Sequence, residues 1–172
     1  MNKKQQEVLL DWMRKIHQLE YAHRYESMDL NKWNYRLGIP ALLLGAIIGS
    51  VGVINAWNGV TKDIFLSTAG IIVALLSGFQ TFVKPQELAE KHKTISSNCE
   101  QLRHKIELLL NSETNNEDTE AKLEVILREW NNIDAESVSE KFFLQAKEKV
   151  KKFQKYPEEL GFLESHKPTL KK

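Results

Sequence analysis

Leu37 to Thr61, LGIPALLLGAIIGSVGVINAWNGVT, runs 25 residues without a charged side chain, and Ile64 to Val83, IFLSTAGIIVALLSGFQTFV, runs a further 20. Only Lys62 and Asp63 separate them. A helix rises about 1.5 Å per residue and the hydrocarbon core of a bilayer is about 30 Å thick, so roughly 20 apolar residues cross it. Both runs reach that length. In the second, the Ile, Leu, Val and Phe residues each favour insertion by about 0.3–0.6 kcal/mol, roughly 3–7 kcal/mol together at most. A core helix of a soluble protein seldom goes five turns without a charge on any face. The connector from Asn58 to Asp63 is turn-forming and too short for a domain, so the two runs predict an antiparallel hairpin with spans at 37–57 and 64–83. Pro40 is expected in the first turn of its span, where a missing N–H costs little.

The rest of the chain is a different chemistry. Over 172 residues, 24 Lys and Arg balance 23 Asp and Glu, and the mean hydropathy of −0.41 is that of a water-soluble protein. Seven of the eight glycines nevertheless lie between Gly38 and Gly78. The single cysteine, Cys99, excludes an internal disulfide framework and a multi-cysteine metal site. Near-zero net charge, without a basic patch interleaved with aromatics, gives no nucleic-acid footprint. His17 and His23 have no third ligand at a metal spacing, and no His-Glu-x-x-His element occurs. No cofactor loop or catalytic set stands out, so the chain reads as a non-enzyme with no metal or cofactor.

Basic residues near the ends of the runs set the expected topology. Arg24, Lys32 and Arg36 precede the first run, and Lys84, Lys91, Lys93 and Arg103 follow the second, whereas the connector holds only Lys62. The positive-inside rule places both termini in the cytoplasm and the connector outside, with Trp33, Tyr35 and Trp57 at the interfaces. Small residues recur at helical steps along one face of each span: Gly38, Ala41, Gly45, Gly49, Gly52 and Ala56 in the first, Ser67, Gly70, Ala74, Ser77 and Thr81 in the second. Such stripes let helices approach closely in lipid, within the hairpin or between copies in a homo-oligomer. In the other reading, Ser67, Ser77 and Thr81 line a water-filled lumen shared by several copies. With no intramembrane charge, that lumen would discriminate poorly between ions.

Outside the spans the pattern is heptad. Leu9, Trp12, Ile16, Leu19, His23, Glu26, Leu30 and Trp33 alternate steps of three and four, as do Leu88, His92, Ile95, Cys99, Leu102, Ile106 and Leu109. Both seams leave the membrane on the same side and are expected to pack together, with His92 and Cys99 as packing residues. A polar loop from Asn111 to Asp118 precedes a helix bearing Leu123, Ile126, Leu127 and Trp130. A last helix, capped by Asp134 or a neighbour, carries Val138, Phe142, Ala146, Val150 and Phe153 on one side and Lys147, Lys149, Lys151, Lys152 and Lys155 elsewhere. That basic face is either solvated or in contact with anionic headgroups or an acidic partner. The expected architecture is an all-α membrane protein: a cytoplasmic amphipathic helix over 1–36, a transmembrane hairpin over 37–83, coiled-coil-like cytoplasmic helices over 84–156 and a loose tail over 157–172.

The order of these parts, with Phe79-x-x-Phe82-x-Lys84-Pro85-x-x-x-Ala89-x-x-His92 and Leu102-Arg103 in the helix that follows, resembles the SLATT proteins. These are bacterial two-transmembrane effectors associated with nucleotidyltransferase and nucleotide-sensing domains. The likeness spans roughly Trp12 to Val150, and Cys99 stands where that family carries an aromatic. It implies an inner-membrane, multi-pass antiviral defence effector. Such hairpins oligomerise and open or breach the membrane when a nucleotide-sensing or nucleotidyltransferase partner responds to infection, and the cell stops growing or dies. The alternative is a non-conducting, membrane-anchored scaffold that recruits a partner through its cytoplasmic helices.

Overall fold

The structure, a computed structural model, describes residues 3–53, 59–111, 116–133 and 136–156. Five helices account for nearly all of them: α1 (Lys3–Val53), α2 (Val60–Val83), α3 (Pro85–Leu110), α4 (Asn116–Asn131) and α5 (Glu140–Lys152). No strand occurs among the described residues. Gly52 belongs to α1, but its side-chain environment, together with Ala56, Trp57, Asp134 and the tail from Pro157, lies outside what is described. Helix α4 begins at Asn116, inside the expected loop, and Ser139 rather than Asp134 precedes α5, with extended backbone at the N-cap.

Helix α1 is 51 residues long and does not restart at the first uncharged run. Pro40 therefore lies inside a helix, not in a first turn as its sequence position suggested. Its ring leaves the Arg36 carbonyl without the usual N–H partner, a defect that costs about 3 kcal/mol in an ordinary helix interior. Both Arg36 and Pro40 are exposed, so that carbonyl is open to another donor.

Helix α2 stops where the chemistry requires it. Pro85 has no N–H to continue the ladder, and it disfavours the right-handed helical conformation at the residue before it. Lys84 accordingly turns left-handed, at φ 47° and ψ 51°, while its N–H still reaches the Gln80 carbonyl at 2.9 Å. The Leu88 N–H then bonds the Lys84 carbonyl at 3.1 Å and α3 begins.

The chain divides into two compact units, one from residues up to Glu26 together with those from Lys91 onward, the other Ser27–Glu90. The first is a helical bundle around Leu9, Met13, Ile16, Ile95, Cys99, Leu102, Ile106, Leu109 and Ile126. Removing each such side chain from water stabilises by roughly 1.5–3 kcal/mol. Trp130 of α4 meets Trp12 of α1 edge to face, with centroids 5.8 Å apart, and closes one side.

In the second unit α1 and α2 run side by side. Asn34, Leu37, Ala41, Leu44 and Ile48 are the more covered positions of α1, and Leu66, Ala69, Val73, Leu76 and Gln80 those of α2, both in steps of three and four. The remaining apolar surface is bare: Leu42 is 71% exposed and Phe82 89%. Among the described residues one helical stretch, Val60–Leu110, is long and apolar enough to cross a membrane, and its apolar window is only 6% buried by the rest of the chain. The other run is helical as far as Val53 and then leaves the described residues.

Lys84 supplies a test of this bend. A lysine held left-handed costs about 1–2 kcal/mol that glycine does not incur, and the exposed Lys84–Glu87 pair at 2.9 Å contributes little. Lys84→Gly is expected to stabilise the full chain by about 0.5–1 kcal/mol, read as a higher thermal midpoint in detergent. A lower midpoint would show that the bend is held for another reason.

Candidate functional site

Within the first unit, the facing stripes of α1 and α3 are apolar at one end and polar at the other. On α1 the covered positions are Leu9, Met13, Ile16, Glu20 and His23. On α3 they are His92, Ile95, Ser96, Cys99, Leu102, Ile106 and Leu109. Of the predicted seam, Leu9, Ile16, His23, His92, Ile95, Cys99, Leu102 and Ile106 are buried and brought together. Trp12 and Leu19 are half-buried at the edge of the same core, and Met13 and Glu20 hold the central places expected for them. In the second unit Leu88 is half-buried, with Ala89 fully covered beside it.

Glu20 is the unexpected member. Its side chain is 2% exposed, and Arg103 donates from Nε to its Oε2 at 2.9 Å while Arg24 donates from Nη2 to Oε1 at 3.1 Å. The Ser96 hydroxyl donates to the Glu20 carbonyl at 3.0 Å. Arg103 also approaches Glu107 at 3.5 Å, and Arg24 approaches Glu100 at 3.4 Å. A carboxylate this deep is tolerated only because cations and hydrogen bonds replace its water. No local periodicity marks Glu20, since the residue that makes it tolerable lies 83 positions away.

One turn along, His23 and His92 meet with their Nδ1 atoms 2.8 Å apart, buried on both sides. Two imidazole nitrogens at that distance share one proton, so one ring donates and the other accepts. Burial, and then His92, push His23 down to about 4. His17 is also lowered to about 4, chiefly by burial and then by Arg103, Lys155 and Arg24, with Glu107 opposing. Its Nδ1 lies 3.0 Å from the Tyr156 hydroxyl and its ring stacks on Phe153 at 5.4 Å. Tyr156 is pushed up to about 12, again first by burial. With His17 neutral, the direction of this bond follows from which ring nitrogen carries the proton.

These groups are occupied with one another. Burial and the neighbouring Glu20 push the Cys99 thiol up to about 12, so it is a packing group and not a nucleophile. No group of three His, Cys, Asp or Glu side chains that could hold a metal occurs among the described residues. An apolar recess of about 430 Å³ lies between α3 and α4, lined by Leu108, Leu109, Val125 and Ile126. At its rim Lys105 is spent on both oxygens of Glu129, at 2.7 Å each.

The small-residue stripes sit differently. In the second unit Ala41 is covered, and a Cβ on Gly38 would stand 3.0 Å from Gln80 Nε2, which itself donates to the Asn34 carbonyl at 3.1 Å and its Oδ1 at 3.2 Å. A Cβ on Gly45, Gly49 or Gly70 would meet nothing within 4 Å, and Ala74 is exposed. Ser67, Ser77 and Thr81 are exposed as well, with the Thr81 hydroxyl donating to the Ser77 carbonyl of its own helix at 2.9 Å.

Compared with protein-family models, with curated proteins and with solved structures, the chain matches none. The site is accordingly argued from its geometry.

Two outcomes are expected. Arg103→Met leaves the buried Glu20 with Arg24 alone and should cost about 3 kcal/mol, whereas the double variant with Glu20→Met should recover most of it. Equal losses in the two would mean that the pair is not the unit of stability. For pH, the unfolded chain binds more protons than the folded one wherever a folded histidine is held below 6.5. Stability from His17 and His23 is complete above pH 6.5 and falls as the pH drops toward about 4. The loss is roughly 2–3 kcal/mol for each histidine. Thermal unfolding followed by circular dichroism should show a steeper acid loss in the parent chain than in His23→Gln. Parallel pH profiles would refute the assignment.

Proposed function

We propose that this chain is a two-span membrane effector whose hairpins assemble through their outward faces and open or breach the bilayer under control of the aqueous helices. The observation that carries this reading is the open surface of the second unit. The apolar window of α2 is almost uncovered by its own chain, and Gly45, Gly49 and Gly70 offer flat backbone with nothing against it. Lipid covers the first kind of surface, and a second copy uses the second, because small residues let helices approach closely where no hydrophobic effect acts between them.

The run at 37–57 is the other span on this reading, and the basic residues flanking both place the two termini in the cytoplasm. The membrane is then the inner membrane of a bacterium, as the likeness to SLATT proteins suggests. That likeness also supplies the trigger, a nucleotide-sensing or nucleotidyltransferase partner acting on the α1/α3 bundle, and the outcome, growth arrest or death of an infected cell. Hydroxyls bonded to their own helix, as in Thr81, are tolerated against lipid and equally available to a lumen between copies.

The open glycine face makes the test clean. Gly49→Leu adds a side chain where its own chain has no atoms, so the hairpin should fold while assembly weakens by tenfold or more, at about 1.4 kcal/mol per tenfold. Leu43→Ile should be nearly silent. Crosslinking reads the assembly, and a potential-sensitive dye during inducible expression with the activating partner reads depolarisation. Intact membranes after activation would leave the scaffold reading in its place. A reporter inserted at Gly59 should behave as external, and a cytoplasmic signal there would overturn the topology.

A further inference from the structure

Helix α5 runs antiparallel to α1. The Ser139 N–H donates to Glu26 at 3.0 Å and Phe153 stacks on His17, so the chain travels along α1 toward its N-terminus and buries Ala146 and Val150 on the way. Past the helix end, Lys155 pairs with Glu107 of α3 and the Tyr156 hydroxyl meets His17. Ahead on the same line a recess of about 300 Å³ opens between α1 and α3, with Gln6, Leu10 and Met13 on one wall, Leu110 and Asn111 on the other, and Lys155 at its edge. Nothing among the described residues fills it, and Leu10 and Leu110 stay half-buried. Arg14 lies three positions before His17. Its Nη2 donates to Asp11 at 2.6 Å, but its Nε is buried and has no acceptor.

From this we infer that the recess is the docking site of the chain's own next segment, Pro157-Glu-Glu-Leu-Gly-Phe-Leu-Glu164, which lies outside the described residues: Leu160, Phe162 and Leu163 enter it and latch α1 to α3, and Glu158 accepts from Arg14 Nε. All of these residues belong to the first unit, so the inference does not depend on the two-span reading. Three arguments select this occupant. The reach fits, since His17 to Leu10 is about 10.5 Å of helix and Tyr156 to Leu160 spans up to about 13 Å, while Gln6 at about 16.5 Å is within the roughly 20 Å available to Phe162. The chemistry fits as well. A buried N–H without an acceptor is costly, and a carboxylate two positions past Tyr156, followed by three apolar side chains, supplies what Arg14 and the recess each lack. Finally, a segment tethered this closely has an effective concentration in the millimolar range, which a second copy or a free peptide would have to exceed.

Hydrogen exchange of the full chain in detergent tests the latch. The Leu160–Leu163 amides should exchange tenfold or more slower than in a synthetic peptide of residues 157–172, at every protein concentration. Leu160→Asp combined with Phe162→Asp should return them to the rate of the peptide, and Arg14→Met should lower the protection severalfold. Oxidation of cysteine pairs locates the segment. Gln6→Cys with Leu163→Cys should close at least tenfold faster than Glu124→Cys on α4 with Leu163→Cys, and within one chain when light and heavy chains are mixed. Cys99 is buried and stays in place, its peptide followed by mass spectrometry. Amides exchanging at the rate of the peptide overturn the inference. So do equal closure rates for the two pairs, or a disulfide joining light to heavy chains, which would make the occupant a second copy. Protection unchanged by Arg14→Met refutes the place given to Glu158.

Discussion

Glu20 and Arg103 meet at 2.9 Å with the carboxylate almost fully withdrawn from water, and the register of α1 against α3 answers to that pair. An apolar seam of Leu9, Met13 and Ile16 against Leu102, Ile106 and Leu109 would tolerate a slide by one heptad, since it would meet side chains of similar size and kind. The pair would not. A slide strands a charge on each helix and costs several kcal/mol, more than any one apolar contact returns. Around this point the other polar groups are in step. Ser96 reaches the Glu20 carbonyl, and three positions up α1 and four down α3 the two histidines share a proton. The histidine contact adds to the same register, because a slide would separate the donor on one ring from the acceptor on the other.

The two units solve their burial problems by different means. In the first, groups that dislike water or dislike its absence are satisfied inside the chain: Asp11 by Arg14 and Lys15, Glu20 by two arginines, His17 by Tyr156. In the second, one polar clasp from Gln80 to Asn34 and the covered alanines Ala41 and Ala69 hold two helices whose outer surfaces stay apolar. A hairpin stabilised mainly by its own interior would cover more of that surface. This one leaves it open, which the proposed reading assigns to lipid and, at the bare backbone of Gly45 and Gly49, to a second copy.

The helices were legible in the sequence because hydrophobic periodicity is a local property. Nine of the fifteen seam positions read from three- and four-residue steps are buried in the structure. Two of the failures share a cause. Choosing the apolar residue at each step favours Trp12 over Met13 and Leu19 over Glu20, and that choice is sound unless a distant partner removes the cost of burial. Arg103 is such a partner, and no pattern within one helix reveals it. Pro40 was misplaced for a related reason: a helix start was inferred from where the charges end, but polarity changes along α1 while the backbone ladder does not. Composition marked the glycines as a packing face without saying against what. That depends on which way each helix is turned, and the turn is decided by Asn34, Gln80 and the covered alanines rather than by the glycines.

Chemistry in this chain is subordinate to position. The Cys99 thiol is held neutral by burial, burial and then His92 hold His23 below its ordinary range, and the buried carboxylate is committed to two guanidinium groups. A reactive site keeps one group poised and incompletely satisfied. Here Glu20, Arg103, Ser96 and the two histidines are spent on the register of α1 against α3. The surfaces left over in the second unit are an apolar window on α2 that its chain does not cover and a flat glycine face on α1. On the two-span proposal the α2 window faces lipid and the glycine face receives a second copy, because small residues let helices approach where no hydrophobic effect acts between them.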